Sequence, residues 1–254
     1  MKINTNSNIY TIVYATVLIV VVAAILAITA TSLKDRQQKN IDIETMSQIL
    51  SAVNIDITPP KGTDKAEHIE RLYKKYIPDS YVVNHNGDKI EGEAFSINLK
   101  EQYDIIRQLK SDNDPDLEKL RLPVFIHTTD NGDKVEILAI FGAGLWGPIW
   151  GYIAVESDFA TIYGATFAHT GETPGLGAEI GAPEFALQFT GKQIFDRTKF
   201  TSIKIKKGGA TPGVLNEVDA VTGGTITSNA LEKAINMWLY RYLPYIEKSN
   251  HEKQ

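Results

Sequence analysis

Between Lys2 and Lys34 the chain runs through 31 residues, positions 3 to 33, without a single charge. The centre of this run, "TIVYATVLIVVVAAILAITATSL" from Thr11 to Leu33, is longer than the ~20 apolar residues a helix needs to cross a bilayer. A cleaved signal peptide has an apolar region of only ~7–15 residues. The reading is a retained membrane helix over 11–33, with the lipid bilayer as its partner, and the fold of the remaining chain must be attached to that anchor. Lys34, Arg36 and Lys39 follow the span while only Lys2 precedes it. The positive-inside rule then favours a cytoplasmic location for what comes after.

After the anchor, Ile41, Ile43, Met46, Ile49, Leu50 and Val53 recur at helical spacing up to Thr58-Pro59-Pro60. A second helix is predicted over Lys65–Tyr76. From Tyr81 the pattern becomes strand-like, with Asn86-Gly87 and Asn131-Gly132 between apolar runs, the strongest short signal for a hairpin. "TSIKIKK" reads as another strand. An amphipathic helix from about Ser228 to Ile246 closes the chain, with Leu231, Ile235, Trp238, Leu239 and Tyr242 on one face. The expected organisation is an N-terminal tail (1–10), a transmembrane helix (11–33), a helical stalk (34–80) and a single α+β domain with antiparallel hairpins (81–254).

Composition excludes several classes. The net charge of -5 and the absence of a basic stripe argue against nucleic acid as a partner. With no cysteine there can be no disulfide, no thiolate-ligated iron–sulfur cluster and no cysteine nucleophile. An electron carrier in such a chain must be organic or held by other ligands.

Three glycine-rich stretches are the candidates for chemistry. "FGAGLWGPIWG", Phe141 to Gly151, has too many glycines for a strand, and it lacks the Gly-Lys-Ser/Thr of a phosphate loop and the context of a dinucleotide fingerprint. It is either a sharp bend with core tryptophans or a place where backbone approaches a flat ligand under an indole. In "HTGETPGLG", His169 to Gly177, His169 and Glu172 stand three apart, but the glycines and Pro174 forbid the helix that would make them metal ligands. No metal site is expected. The third, "DAVTGGTITSN" from Asp219 to Asn229, crowds hydroxyls and Gly223-Gly224 at a helix start, where free N–H groups attract phosphate. Thr227, Ser228 or Asn229 would cap that helix, Asn229 with Glu232 resembling a capping box. A cap leaves Thr222, Gly223, Gly224 and Thr225 unexplained.

"DAVTGGT" resembles the Asp-x-x-Ser/Thr-Gly-Ala-Thr signature of proteins that carry FMN covalently, with Gly224 where the signature usually has Ala. Together with "GLWG" and "HTGETPGLGAEIG", in the right order, it is similar to the NqrC family, subunits of the sodium-translocating NADH:quinone reductases, over nearly the whole chain. A related FMN-bearing subunit of electron-transport complexes shares the signature and the Glu-Thr-Pro-Gly-Leu-Gly turn but not the Gly144–Trp146 loop. The resemblance implies FMN bound by a phosphoester on Thr225, attached by a separate flavin transferase that recognises Asp219, Thr222 and Thr225. It implies contacts to the cofactor from Leu145, Trp146, Thr173, Leu176, Thr222, Gly223 and Gly224, and more loosely a charge offset from Lys207. No catalytic residue is expected on the subunit itself, which lacks an NADH fingerprint. It would relay electrons toward quinone among membrane and soluble partner subunits, coupled to sodium export. The family places the soluble domain on the periplasmic side of the inner membrane, against the local charge count. The rival readings are a flavoprotein of the electron-transport complex type, a flavin-bearing reductase for an extracellular acceptor, and a tethered assembly or binding subunit with Thr225 unmodified.

Overall fold

The computed structural model describes residues 7–251. The chain divides into two units, Met1–Thr45 and Met46–Gln254. In the first, the described residues belong to α1 (Asn8–Ala52) apart from Ser7, so the apolar run and the amphipathic segment after it form one element. Its apolar side chains from Ile12 to Ile28 are exposed, and the helix is long and apolar enough to cross a membrane. Thr16, Thr29 and Thr31 donate their hydroxyls to the carbonyls of Ile12, Ile25 and Ala27, each at 2.8 Å. These polar groups therefore need no water, which is the condition lipid imposes.

The second unit is α+β. After α1 come α2 (Lys65–Tyr76), β1 (Asp79–Val83), β2 (Lys89–Ile90), α3 (Leu99–Gln108), β3 (Leu122–Thr128), β4 (Lys134–Ala143), β5 (Pro148–Val155) and β6 (Ile162–His169). Then follow α4 (Pro183–Leu187), the short strands β7 (Phe195–Asp196), β8 (Lys199–Phe200), β9 (Lys204–Lys206) and β10 (Glu217–Asp219), and α5 (Thr225–His251). Strands one to six make a single sheet in the order β2-β1-β3-β4-β5-β6, antiparallel at every pairing. Both Asn-Gly pairs form the expected hairpin turns, with Gly87 and Gly132 at φ 80 and 87°. The predicted helix over 65–76 is α2, begun by the Asp64 side chain accepting the Glu67 N–H at 3.0 Å.

Helix α5 covers one face of the sheet. Leu231, Ile235, Trp238, Leu239 and Tyr242 are fully buried against a cluster that includes Leu138, Ile140, Ile149 and Ile153. The polar atoms of its large aromatics are satisfied by strand carbonyls: Trp238 Nε1 donates to Phe141 O and the Tyr242 hydroxyl to Pro123 O, both at 2.7 Å. The Tyr245 hydroxyl donates to the buried Glu136 and meets the Tyr81 hydroxyl at 2.6 Å. Burial, then Glu136 beside it, pushes the Tyr245 phenol far above its ordinary range, so it remains a donor.

Phe125, Ile137, Ala139, Tyr152 and Ala154 alternate with that cluster and face the other way, and they too are buried. Residues 46–80, read from the sequence as a stalk, supply the cover here. Ile49, Leu50, Val53 and Ile69 are buried, Trp150 Nε1 donates to Gln48 Oε1 at 2.8 Å, and the His127 ring meets Tyr76 O at 2.8 Å. The compact unit thus starts at Met46, well before residue 81, because the sheet needs a layer on each face.

Candidate functional site

The glycine-rich stretch 141–151 is a tight hairpin. Phe141 to Ala143 finish β4, Pro148 to Gly151 begin β5, and the turn is closed by Gly144 N–H donating to Gly147 O at 2.8 Å. The expectation that its glycines exclude a strand fails for a packing reason: a Cβ on Gly142 would stand 2.8 Å from Ala234 of α5. The tip presents Leu145 and Trp146, 45% and 68% exposed.

A second turn follows β6, where the Leu176 and Ala178 N–H groups both donate to Thr173 O, at 3.1 and 3.2 Å. Thr173 and Leu176 are exposed. A third runs through Val221–Gly224, with Gly223 at φ 75° and Gly224 N–H bonded to Val221 O at 3.0 Å. Helix α5 then starts at Thr225, three residues before Ser228, and its first closing bond runs from Ser228 N–H to Gly224 O at 2.8 Å. The expected caps do other work. Ser228 Oγ accepts the Val221 N–H at 3.1 Å, Thr227 donates to a carboxylate, and Glu232 accepts the Ile205 N–H of β9 at 2.5 Å, so no Asn229–Glu232 box forms. Among the described residues the N–H groups of Thr225, Ile226 and Thr227 have no partner, as the first turn of a helix dictates.

One side chain joins the three turns, and the sequence reading did not single it out for that. Glu172 is 4% exposed. Its Oε1 accepts the Trp146 N–H at 2.9 Å and its Oε2 accepts the Thr227 hydroxyl at 2.5 Å. Room for the carboxylate exists because position 177 is glycine: a Cβ there would lie 2.5 Å from Oε2. The turns also touch directly. A Cβ on Gly223 would collide with the Leu176 side chain, and one on Gly224 would stand 3.2 Å from Gly177 Cα. The glycine pair is small because Leu176, Val221 and Gly177 press on it. Each turn contributes exposed apolar surface, Leu145 and Trp146 from the first, Leu176 from the second and Ile226 (59% exposed) from the third. Thr222 is exposed and Thr225 half-buried beside them.

The hydrogen bonds that join the three turns involve neither Asp219 nor Lys207. Asp219 Oδ1 accepts the Ala210 N–H at 2.6 Å, holding the loop after β9. Lys206 is paired with Glu217 at 3.8 Å, and the Thr211 amide and hydroxyl, followed by Lys206, hold the Glu217 carboxyl below its ordinary range. Lys207 is exposed and without an ion pair among the described residues. On the other side, a groove of about 460 Å³ between α3 and α5 shares Gly144 and Ile226 with the junction and carries Arg107 and Lys233, neither of which the sequence singled out. Among the described residues no group of three or more His, Cys, Asp or Glu could hold a metal.

Residues 144–240 match the FMN-binding domain family, a span that begins at the first turn and ends within α5. The chain is 31% identical over 225 residues to NqrC, a Na(+)-translocating NADH-quinone reductase subunit, of Vibrio vulnificus (strain YJ016), covering 86% of each chain. With the corresponding subunit of Vibrio anguillarum it shares 29% identity over 245 residues, 94% of this chain and 93% of that one. The crystal structure of the same subunit from Parabacteroides distasonis ATCC 8503 superimposes with a TM-score of 0.72 at 36% identity, covering 84% of this chain and 96% of that one. The chain belongs to the NqrC family of Na(+)-translocating NADH-quinone reductase subunits. In this NqrC-family chain the matched FMN-binding domain contains all three turns and the Glu172 junction.

Proposed function

We propose that the chain carries FMN as a phosphoester on Thr225 Oγ and passes electrons between partner subunits of a sodium-translocating NADH:quinone reductase. The observation that carries this reading is the position of Thr225. It is the first residue of a 27-residue helix, beside free N–H groups, where three turns expose apolar side chains. A phosphodiester keeps one negative charge, and a helix N-terminus stabilises it through unpaired N–H groups and the dipole. Leu145, Trp146, Thr173 and Leu176 would hold the ring, Thr222, Gly223 and Gly224 would border the linkage, and Lys207 would offset charge after movement of its loop. Bound FMN supplies the capacity to take up and release electrons; the residues supply position and electrostatics.

Attachment would be the work of a flavin transferase acting on FAD and recognising Asp219, Thr222 and Thr225. The Thr225 Oγ–P bond forms as the pyrophosphate P–O bond breaks, AMP leaves with the electron pair, and the hydroxyl proton goes to a base of the transferase. The chain lacks a dinucleotide fingerprint, so NADH oxidation belongs to another subunit. Helix α1 would hold the chain in the inner membrane, with the compact unit on the periplasmic side where the transferase works.

The test is the full-length chain co-expressed with a flavin transferase. Peptide mass spectrometry is expected to find FMN on the fragment containing Thr225, and Thr225→Ala is expected to lose all bound flavin with an unchanged circular dichroism spectrum. Flavin that survives the substitution, or that maps to Thr222, would overturn the assignment.

A further inference from the structure

The carboxylate of Glu172 is a charge with almost no access to solvent in a part of the chain where a charge is costly to bury. Its two oxygens bind groups from two different turns, 26 residues upstream and 55 downstream. Both groups adjoin residues already assigned to the cofactor. Trp146 supplies its own backbone N–H, and Thr227 is two positions from Thr225 on the first turn of α5. A neutral glutamine would fit the same space and could hold both partners, accepting from Trp146 and donating to Thr227. An acid where a glutamine would serve the clasp points to a use for its charge.

We propose that Glu172 is a positioning residue for the flavin whose buried negative charge also lowers the flavin's reduction potential. The inference rests on the reading that FMN is attached at Thr225. The clasp fixes the Trp146 turn against the start of α5, so the ring bed and the attachment point keep one geometry. A negative charge held close to an electron acceptor in a medium of low dielectric opposes the arrival of an electron, which lowers the potential. The Thr227 hydroxyl donates to that carboxylate and so partly offsets its field.

Two substitutions separate this from a purely structural clasp, because the charge argument gives them opposite signs. Glu172→Gln removes the charge and keeps the shape. Thr227→Val keeps the charge and removes the hydroxyl that tempers it. The full-length wild type and both variants would be made with the flavin transferase, checked for covalent FMN by intact mass, and taken through a redox titration at one fixed pH. The midpoint potential is expected to rise in Glu172→Gln and to fall in Thr227→Val. A bed that is merely loosened would move both in the same direction. An unchanged potential in Glu172→Gln, or a shift of equal sign in the two variants, would overturn the proposal. Should Glu172→Gln fail to fold, Thr227→Val is read against Thr227→Ser, which keeps the hydroxyl: a fall in Thr227→Val alone supports the charge, and a rise, no change or a fall shared by both overturns it. A wild-type chain without covalent FMN would instead refute the attachment at Thr225 and would be seen in the mass before any titration.

Discussion

Gly223 and Gly224 are neighbours with different reasons to be small. Gly223 has φ 75°, and a Cβ there would run into the Leu176 side chain. Gly224 has no positive φ, and its Cβ would meet Val221 at 3.0 Å and Gly177 Cα at 3.2 Å, tight but open to a small shift. Gly223→Ala is therefore expected to destabilise by about 1–2 kcal/mol from the left-handed backbone alone. It should also displace Leu176 and alter the flavin absorption band. Gly224→Ala, which restores the residue usual in the covalent-FMN signature, is expected to fold and to keep its flavin. Chemical denaturation and absorption spectra of the two variants check both outcomes, and equal behaviour would refute the distinction. At this scale the sequence was informative where chemistry is local. The run from Asp219 to Thr225 could be singled out, since hydroxyls and glycines before a helix are an unusual combination, and the resemblance to the covalent-FMN signature points to Thr225 within it. Glu172 could not, because its partners are 26 and 55 positions away and nothing in its spacing announces them. The only available signal was an acid set among glycines and a proline.

Among the elements, the hairpins and α2 were legible because turn chemistry and capping are written within a few residues. The strands that hold Gly142 and Gly151 were not. A glycine lowers strand propensity on its own, and only the presence of Ala234 and of β6 across the sheet explains the lack of a side chain. The same limit hid the end of α1. Its apolar spacing showed a helix but not what the helix would cover, so residues 46–80 read as a stalk. Helix α5 carries the clearest consequence. It holds Thr225 at one end and is fixed to the sheet by Trp238, which is fully buried and bonded to Phe141 O. Trp238→Ala is expected to lose about 3–5 kcal/mol in chemical denaturation, the range for deleting a core aromatic. Trp146→Ala, on a side chain 68% exposed, is expected to lose far less and to change the flavin spectrum instead. A large stability loss at Trp146 would return it to a structural role.

For the whole molecule the open question is which side of the membrane the compact unit occupies. Local charge and proposed chemistry point opposite ways. Lys34, Arg36 and Lys39 after the apolar run favour the cytoplasm, but Asp35 lies among them and the bias is small. Modification of Thr225 by a transferase outside the cytoplasm requires the opposite orientation. The chain offers a clean way to decide, since it contains no cysteine and a single introduced thiol will be the only one. Glu118 is exposed, on a short helical turn before β3, and belongs to none of the three turns. Glu118→Cys should therefore leave both the fold and the flavin site alone. In intact cells with a permeabilised outer membrane, a maleimide that cannot cross the inner membrane is expected to label this cysteine. Labelling only after the inner membrane is opened would place the compact unit in the cytoplasm. Flavin on Thr225 would then have to be attached there, and the charge count would have been the better guide. The retained anchor is tested on the same samples: the labelled chain is expected to stay in carbonate-washed membranes at full length, and its release without Thr11–Leu33 would mean that the run is cleaved.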